Sequence, residues 1–128
     1  MLHTRHYTVE QAMAALPWVR DRIESLRSAR AGLNDEQARS ALATAAPRNG
    51  GGSPGRVVSA AFIAMRDALS ELREAELVLR DLDRGLVDFP SLRDGREVYL
   101  CWLEAEDEIC FWHEPDAGFD NREPLDDG

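Results

Sequence analysis

The sequence predicts an α+β protein: a long antiparallel helical hairpin, with a short extra helix, packed on a small three-stranded antiparallel β-meander. Three observations predict it. Two stretches, 8–33 and 56–84, carry apolar residues at spacings of three and four, the mark of amphipathic helices. After Gly85 the period shortens to that of strands, in runs rich in β-branched and aromatic residues. Only short turns separate those runs, so consecutive strands fold back on one another. A sheet this small needs a helix laid on one face.

The first helix opens at Thr8, whose hydroxyl can accept from first-turn N–H groups, with Gln11 in the capping-box position. Its stripe runs Val9, Met13, Leu16, Val19, Ile23, Leu26 and Leu33. Pro17 lies inside the stripe and removes one backbone bond. Because the stripe continues in phase, a kink is expected there rather than an end. An alanine-rich segment, Asp35 to Ala46, reads as the short extra helix. "PRNGGGSPG" (47–55) reads as a mobile, dispensable linker, since three glycines flanked by prolines suit no regular element. The second long stripe follows: Val58, Phe62, Met65, Leu69, Leu72, Ala75, Leu79 and Leu82, ending at Gly85.

The sheet is expected over 86–114. "LVDFP" is a first strand, "RDGR" a turn, "EVYLCWL" a second strand, "EAED" another turn and "ICFWHE" the third strand. Residues 115–128 are expected as a C-terminal loop of a single 1–128 domain. Helices of this length would run roughly 40 Å, against a radius of gyration of about 14 Å for a compact domain of this size. The hairpin therefore either projects beyond the sheet, its helices pairing only with each other, or packs against a second copy as a homodimer.

Composition narrows the function classes. The chain is 44% hydrophobic and 30% charged, as in ordinary soluble proteins. No apolar run approaches the roughly 20 residues of a membrane span, and the N-terminus lacks the apolar core of a secretory signal. A cytoplasmic protein is expected, with Cys101 and Cys110 as reduced thiols. All 15 cationic residues are arginine, as in GC-rich bacteria. The net charge of −9 argues against nucleic acid as a partner. Arg20, Arg22, Arg27 and Arg30 fall close together, but Asp21 and Glu24 interleave with them as on a solvated helix face.

"RGLVDFPSLRDGREVYLCW" and "FWHEPDAGF", with "YTVEQA" and "LPWVR" near the start, carry a resemblance. Over nearly its whole length the chain resembles the bacterial domain-of-unknown-function family numbered 2203. It departs from that family in a longer 34–55 region and in "EAED", where the family often has a glycine. The resemblance implies a helical hairpin plus sheet in a cytosolic bacterial protein. It implies no reaction.

Candidate chemistry gathers where the third strand breaks at Pro115. His113 and Glu114 point to opposite faces while the strand lasts, but Pro115 can end it between them. Asp116 then returns to the face of Glu114 or stands free in the loop. Asp88 lies in an apolar strand, where a carboxylate is costly to bury unpaired; Arg96 and Arg122 are its candidate partners. Imidazole with carboxylates suits iron, manganese or zinc, and no HExxH pair is present. His113, Glu114, Asp116 and Asp88 are the candidate metal ligands, with Glu10 from the first helical turn and His3 and His6 from the N-terminus as further donors. The structural alternative is that His113 donates to a buried carboxylate or carbonyl at the sheet end.

Register governs the cysteines. With an even connection, Cys101 and Cys110 share a face with Tyr99, Trp112 and Glu114, and that is the expected case, with both as small core hydrophobes. With an odd one, Cys101 faces His113, as a nucleophile and base require. Two functions fit: a metal- or small-ligand-binding protein with a His/carboxylate cluster, or a helical-hairpin interaction or dimerisation module without catalytic activity. Metal analysis of untagged protein separates them.

Overall fold

The computed structural model describes residues 1–34 and 53–125. The predicted helix at 35–46 and linker positions 47–52 lie outside the described residues. In chain order the elements are helix α1 (Val9–Leu33), helix α2 (Ser53–Glu74), strands β1 (Val78–Asp81), β2 (Leu86–Arg93), β3 (Arg96–Leu103) and β4 (Phe111–His113), a 3-10 turn (Phe119–Asn121) and strand β5 (Glu123–Pro124). The α+β class holds, with five strands in place of three. They form one antiparallel sheet in the order β1-β2-β3-β4-β5. The chain divides into two compact units, Met1–Arg20 with Leu72–Gly128, and Asp21–Glu71.

In the first unit α1 opens as the capping box requires. Thr8 Oγ1 accepts from Gln11 N at 3.0 Å and Gln11 Oε1 accepts from Thr8 N at 3.0 Å. Ala12, Leu16 and Val19 are buried, and with Val87, Phe89, Leu100 and Trp102 they form the core on one sheet face. Arg20 closes the end of that core. Its guanidinium lies over the Trp102 ring at 4.9 Å and donates to the carbonyls of Glu104 and Glu106. Those bonds hold the connection that leads from β3 to β4.

The expected second helix ends ten residues early, at Glu74 rather than 84. Glu76 takes φ 60°, while Glu76 N donates to Arg73 O and Leu77 N to Leu72 O. That is a Schellman ending, with buried Leu72 and Leu77 as its apolar partners. Glycine usually fills the left-handed position. Here the Glu76 carboxylate accepts from Thr4 N, Thr4 Oγ1 and Arg5 N instead, at 2.8–3.0 Å, so a non-glycine residue is held there by what it ties down. Leu79, assigned to the helix by its spacing, belongs to β1, and Leu82 to the turn that follows.

β1 pairs with β2 through Val78↔Asp88 and Leu79↔Val87, then slips to Asp81↔Leu86, so Arg80 is the extra residue of a bulge. The β2–β3 turn is Asp94-Gly95, both at positive φ, 54° and 77°, as the two-residue hairpin turn matching strand twist demands. Pro90 sits past the end of β1, where its missing N–H costs no ladder bond; its carbonyl accepts from Tyr7 N at 2.7 Å. The predicted C-terminal loop is not wholly irregular: residues 119–121 turn back and β5 pairs with β4.

In the second unit the Asp21–Leu33 part of α1 runs antiparallel to α2. Arg22 is ion-paired with Glu71, and a Cβ placed on Gly32 would come within 3.0 Å of the Ala61 Cβ. The buried residues are Ile23, Leu26, Ala29, Ala61 and Ala68. α2 therefore turns Ala61 and Ala68 inward, while Phe62 is 62% and Leu69 40% exposed, contrary to the expected Phe62–Leu69 seam. Helices that approach this closely require small residues at the contact. α2 begins at Ser53, inside the expected linker; a proline in the first turn loses no helical bond.

Candidate functional site

The sheet face opposite the α1 core carries the polar cluster. Asp88↔Cys101 and Tyr99↔His113 are register pairs, so Asp88, Cys101, Tyr99 and His113 point the same way from β2, β3 and β4. Seven residues, 104–110, connect β3 to β4, and this odd number gives the register not expected from the sequence. Cys101 is fully buried beside His113, whereas Cys110 is exposed rather than core.

Asp88 is 1% and His113 2% exposed. His113 Nε2 lies 3.0 Å from Asp88 Oδ2, and the same oxygen accepts from Arg80 Nε at 2.9 Å. Arg80, not Arg96 or Arg122, is therefore the cation on Asp88. Arg96 pairs with Glu114 and Arg122 with Glu106. The second oxygen, Asp88 Oδ1, is buried with no hydrogen-bond partner. His113 Nδ1 sits 2.7 Å from the Glu114 carbonyl. A carbonyl only accepts, so Nδ1 carries a proton and Nε2 faces the carboxylate either as a second N–H or as a lone pair. In the protein alone the charged form wins. Burial opposes the charge, but the hydrogen bond to Asp88, then Cys101 and the Glu114 carbonyl, raise the pKa to about 10.

Asp88, Cys101 and His113 each offer one donor atom, and these atoms lie within 4.8 Å of one another. Beside them is a cavity of about 230 Å³, walled by Arg80, Leu86 and the Pro115–Phe119 loop. Gly118, at φ 113°, holds a backbone geometry there that favours glycine. Asp116 stands at this cavity and is exposed.

Of the seven candidate ligands, Asp88 and His113 meet and Asp116 lines the same cavity. Glu114 contributes its carbonyl to His113 and its carboxylate to Arg96. Glu10 is exposed in the first turn of α1. His3 bonds Tyr99 Oη at 2.7 Å and Glu76 Oε1 at 3.3 Å, and His6 bonds Glu97 at 2.8 Å. His3 thus reaches His113 only through the Tyr99 ring, whose centroid is 5.6 Å from that of His113. Arg80 does not stand out in the sequence because its segment fits the helical stripe. Val78, followed by a turn ending in Gly85, was the available signal of a strand.

No described helix is long and apolar enough to cross a membrane. A family model described as "Uncharacterized conserved protein (DUF2203)" matches residues 5–125. No curated protein and no solved structure matches the chain.

Proposed function

The chain belongs to the DUF2203 family, and we propose that it binds one divalent metal ion through Asp88, Cys101 and His113, with a coordination position left facing the cavity under the Pro115–Phe119 loop. The observation that carries this reading is the convergence of three buried donors from three adjacent strands within 4.8 Å.

Two features support it. The Nδ1–H bond to the Glu114 carbonyl aims Nε2 into the cluster, the arrangement by which protein groups orient a metal-binding imidazole. Asp88 Oδ1, a carboxylate oxygen buried without a partner, is costly unless something coordinates it. A thiolate beside imidazole and carboxylate favours zinc over manganese, whose affinity lies with oxygen donors. Three protein ligands with one open position are the pattern of zinc sites that act on a bound molecule rather than only hold a fold.

The test is metal analysis of untagged protein, followed by cobalt substitution. One ion per chain is expected, with a thiolate-to-cobalt charge-transfer band that disappears in Cys101→Ser and a stoichiometry well below one in His113→Ala. Folded protein that takes up neither zinc nor cobalt at micromolar concentration would overturn the proposal.

A further inference from the structure

We infer that the cavity takes a small monocarboxylate with a short apolar tail, its carboxylate shared between the metal position and the Arg80 guanidinium. The inference rests on the metal-binding reading above.

Size comes first. At about 230 Å³ the cavity falls below the roughly 300–1,000 Å³ of ordinary small-molecule clefts, which restricts the ligand to a few heavy atoms. Charge comes next. A divalent ion is neutralised by the Asp88 carboxylate and a Cys101 thiolate, and Arg122 beside Cys101 is offset by Glu106, which leaves the Arg80 cation as the net charge of the inner site. One anionic group matches it. Asp116, exposed at the same cavity, works against a second negative charge.

Donor geometry is equally restrictive. Arg80 commits Nε to Asp88 at 2.9 Å, and among the described residues that is its one ion pair. Its Cζ lies 5.3 Å from the Tyr99 ring centroid and its guanidinium also hydrogen-bonds the Tyr99 side chain, which steadies it. Of the five N–H donors of a guanidinium, those not used on Asp88 and Tyr99 can meet an oxyanion. The bulge at Arg80 bends β1 at the cavity wall, and bulges recur next to sites where a side chain must be aimed. The remaining wall is apolar: Leu86, Pro115, Ala117 and Phe119. Such a wall gives nothing to a polar tail but gains from burying methylenes.

Cobalt-loaded protein titrated with butyrate tests this. A saturable shift of the cobalt ligand-field bands is expected, with butyrate binding roughly ten-fold tighter than acetate because two more methylenes are buried. Inorganic phosphate should bind more weakly than butyrate. At saturating cobalt, Arg80→Gln should keep the thiolate band and weaken butyrate at least ten-fold, and Arg80→Lys should recover part of the loss. An intact thiolate band with no response to butyrate overturns this inference and leaves the metal reading standing. So does phosphate binding as tightly as butyrate, or Arg80→Gln binding butyrate unchanged. Absence of the thiolate band overturns both.

Discussion

Asp88→Asn in metal-free protein, held in chelator, separates the electrostatics of the cluster from its shape. Asparagine keeps the volume, so no cavity opens at a site only 1% exposed. What changes is one oxygen that accepts from Arg80 Nε at 2.9 Å and faces His113 Nε2 at 3.0 Å. Hydrogen bonds to charged groups contribute about 1.5–3 kcal/mol each, and removing one member of a buried ion pair costs about 3–5 kcal/mol. Two effects reduce that figure. The Arg80 side chain is 43% exposed, so water takes over much of its solvation. His113, no longer facing a carboxylate, escapes further cost by giving up its second proton. A loss of about 2–3 kcal/mol remains. With urea slopes of roughly 1–3 kcal/mol/M, the unfolding midpoint should fall by about 0.7–3 M at unchanged slope. Glu108→Gln, at an exposed position, is the matched control and should move the midpoint little. A loss below about 0.5 kcal/mol for Asp88→Asn would show that the cluster contributes nothing to the fold and would refute the reasoning.

Leu69→Asp should leave helical circular dichroism intact and change stability by no more than about 0.5 kcal/mol, since Leu69 is 40% exposed. Leu72→Asp, at 3% exposure, should unfold the protein, and equal effects of the two would reverse the assignment of the inward face of α2. Glu97 is held at about 2 rather than 4.5: burial opposes this, but the bond to His6 and the N–H groups of Leu2 and His3 outweigh it. A carboxyl lowered in the fold stabilises above its ordinary value and loses that contribution as pH falls from about 4.5 towards 2, so Glu97→Gln should flatten the stability profile in that window. Glu76→Gly should preserve the end of α2, because glycine suits φ 60°, yet release the N-terminal strap. Faster amide exchange at Thr4 and Arg5 would register that release, and unchanged protection would contradict the anchoring role.

The fold was legible where local chemistry and packing agree. Thr8 and Gln11 form the capping box that their spacing implies, and Asp94-Gly95 forms the hairpin turn that its residue types imply. The failures lie where one pattern fits two structures. Leu79 and Leu82 continue a heptad stripe, but Glu76 ends the helix first. Its left-handed geometry is stabilised by contacts from Thr4 and Arg5, far away in sequence, so no local signal announces it. α2 likewise carries two apolar faces, one with Ala61, Ala68 and Leu72 and one with Phe62 and Leu69. Periodicity does not rank them, whereas the close approach at Gly32 and Ala61 does. β5 is only two residues long and forms because β4 offers it an edge.

The cluster was half legible for a related reason. A carboxylate inside an apolar strand and a histidine at a strand break each stand out alone, and Asp88 and His113 do meet. Cys101 joins them only through parity: one residue more or fewer between Leu103 and Phe111 would turn it to the opposite face from His113. That connection is set by no standard short turn. Leu103 N donates to Glu106 Oε1, Trp102 Nε1 donates to Glu106 O, and Arg122 clamps the Glu106 carboxylate with two bonds. Glu106 therefore steadies the connection that keeps Cys101 in register with His113, and it also fixes Arg122, which interacts with the Cys101 side chain. The metal reading thus depends on a residue that touches none of its proposed ligands, and Glu106→Ala should weaken metal binding through lost register rather than lost coordination. Cobalt affinity in that variant should fall together with the dispersion of the β4 amide resonances. A fall in affinity with unchanged resonances would mean that Glu106 acts on the ion by some route other than the strand.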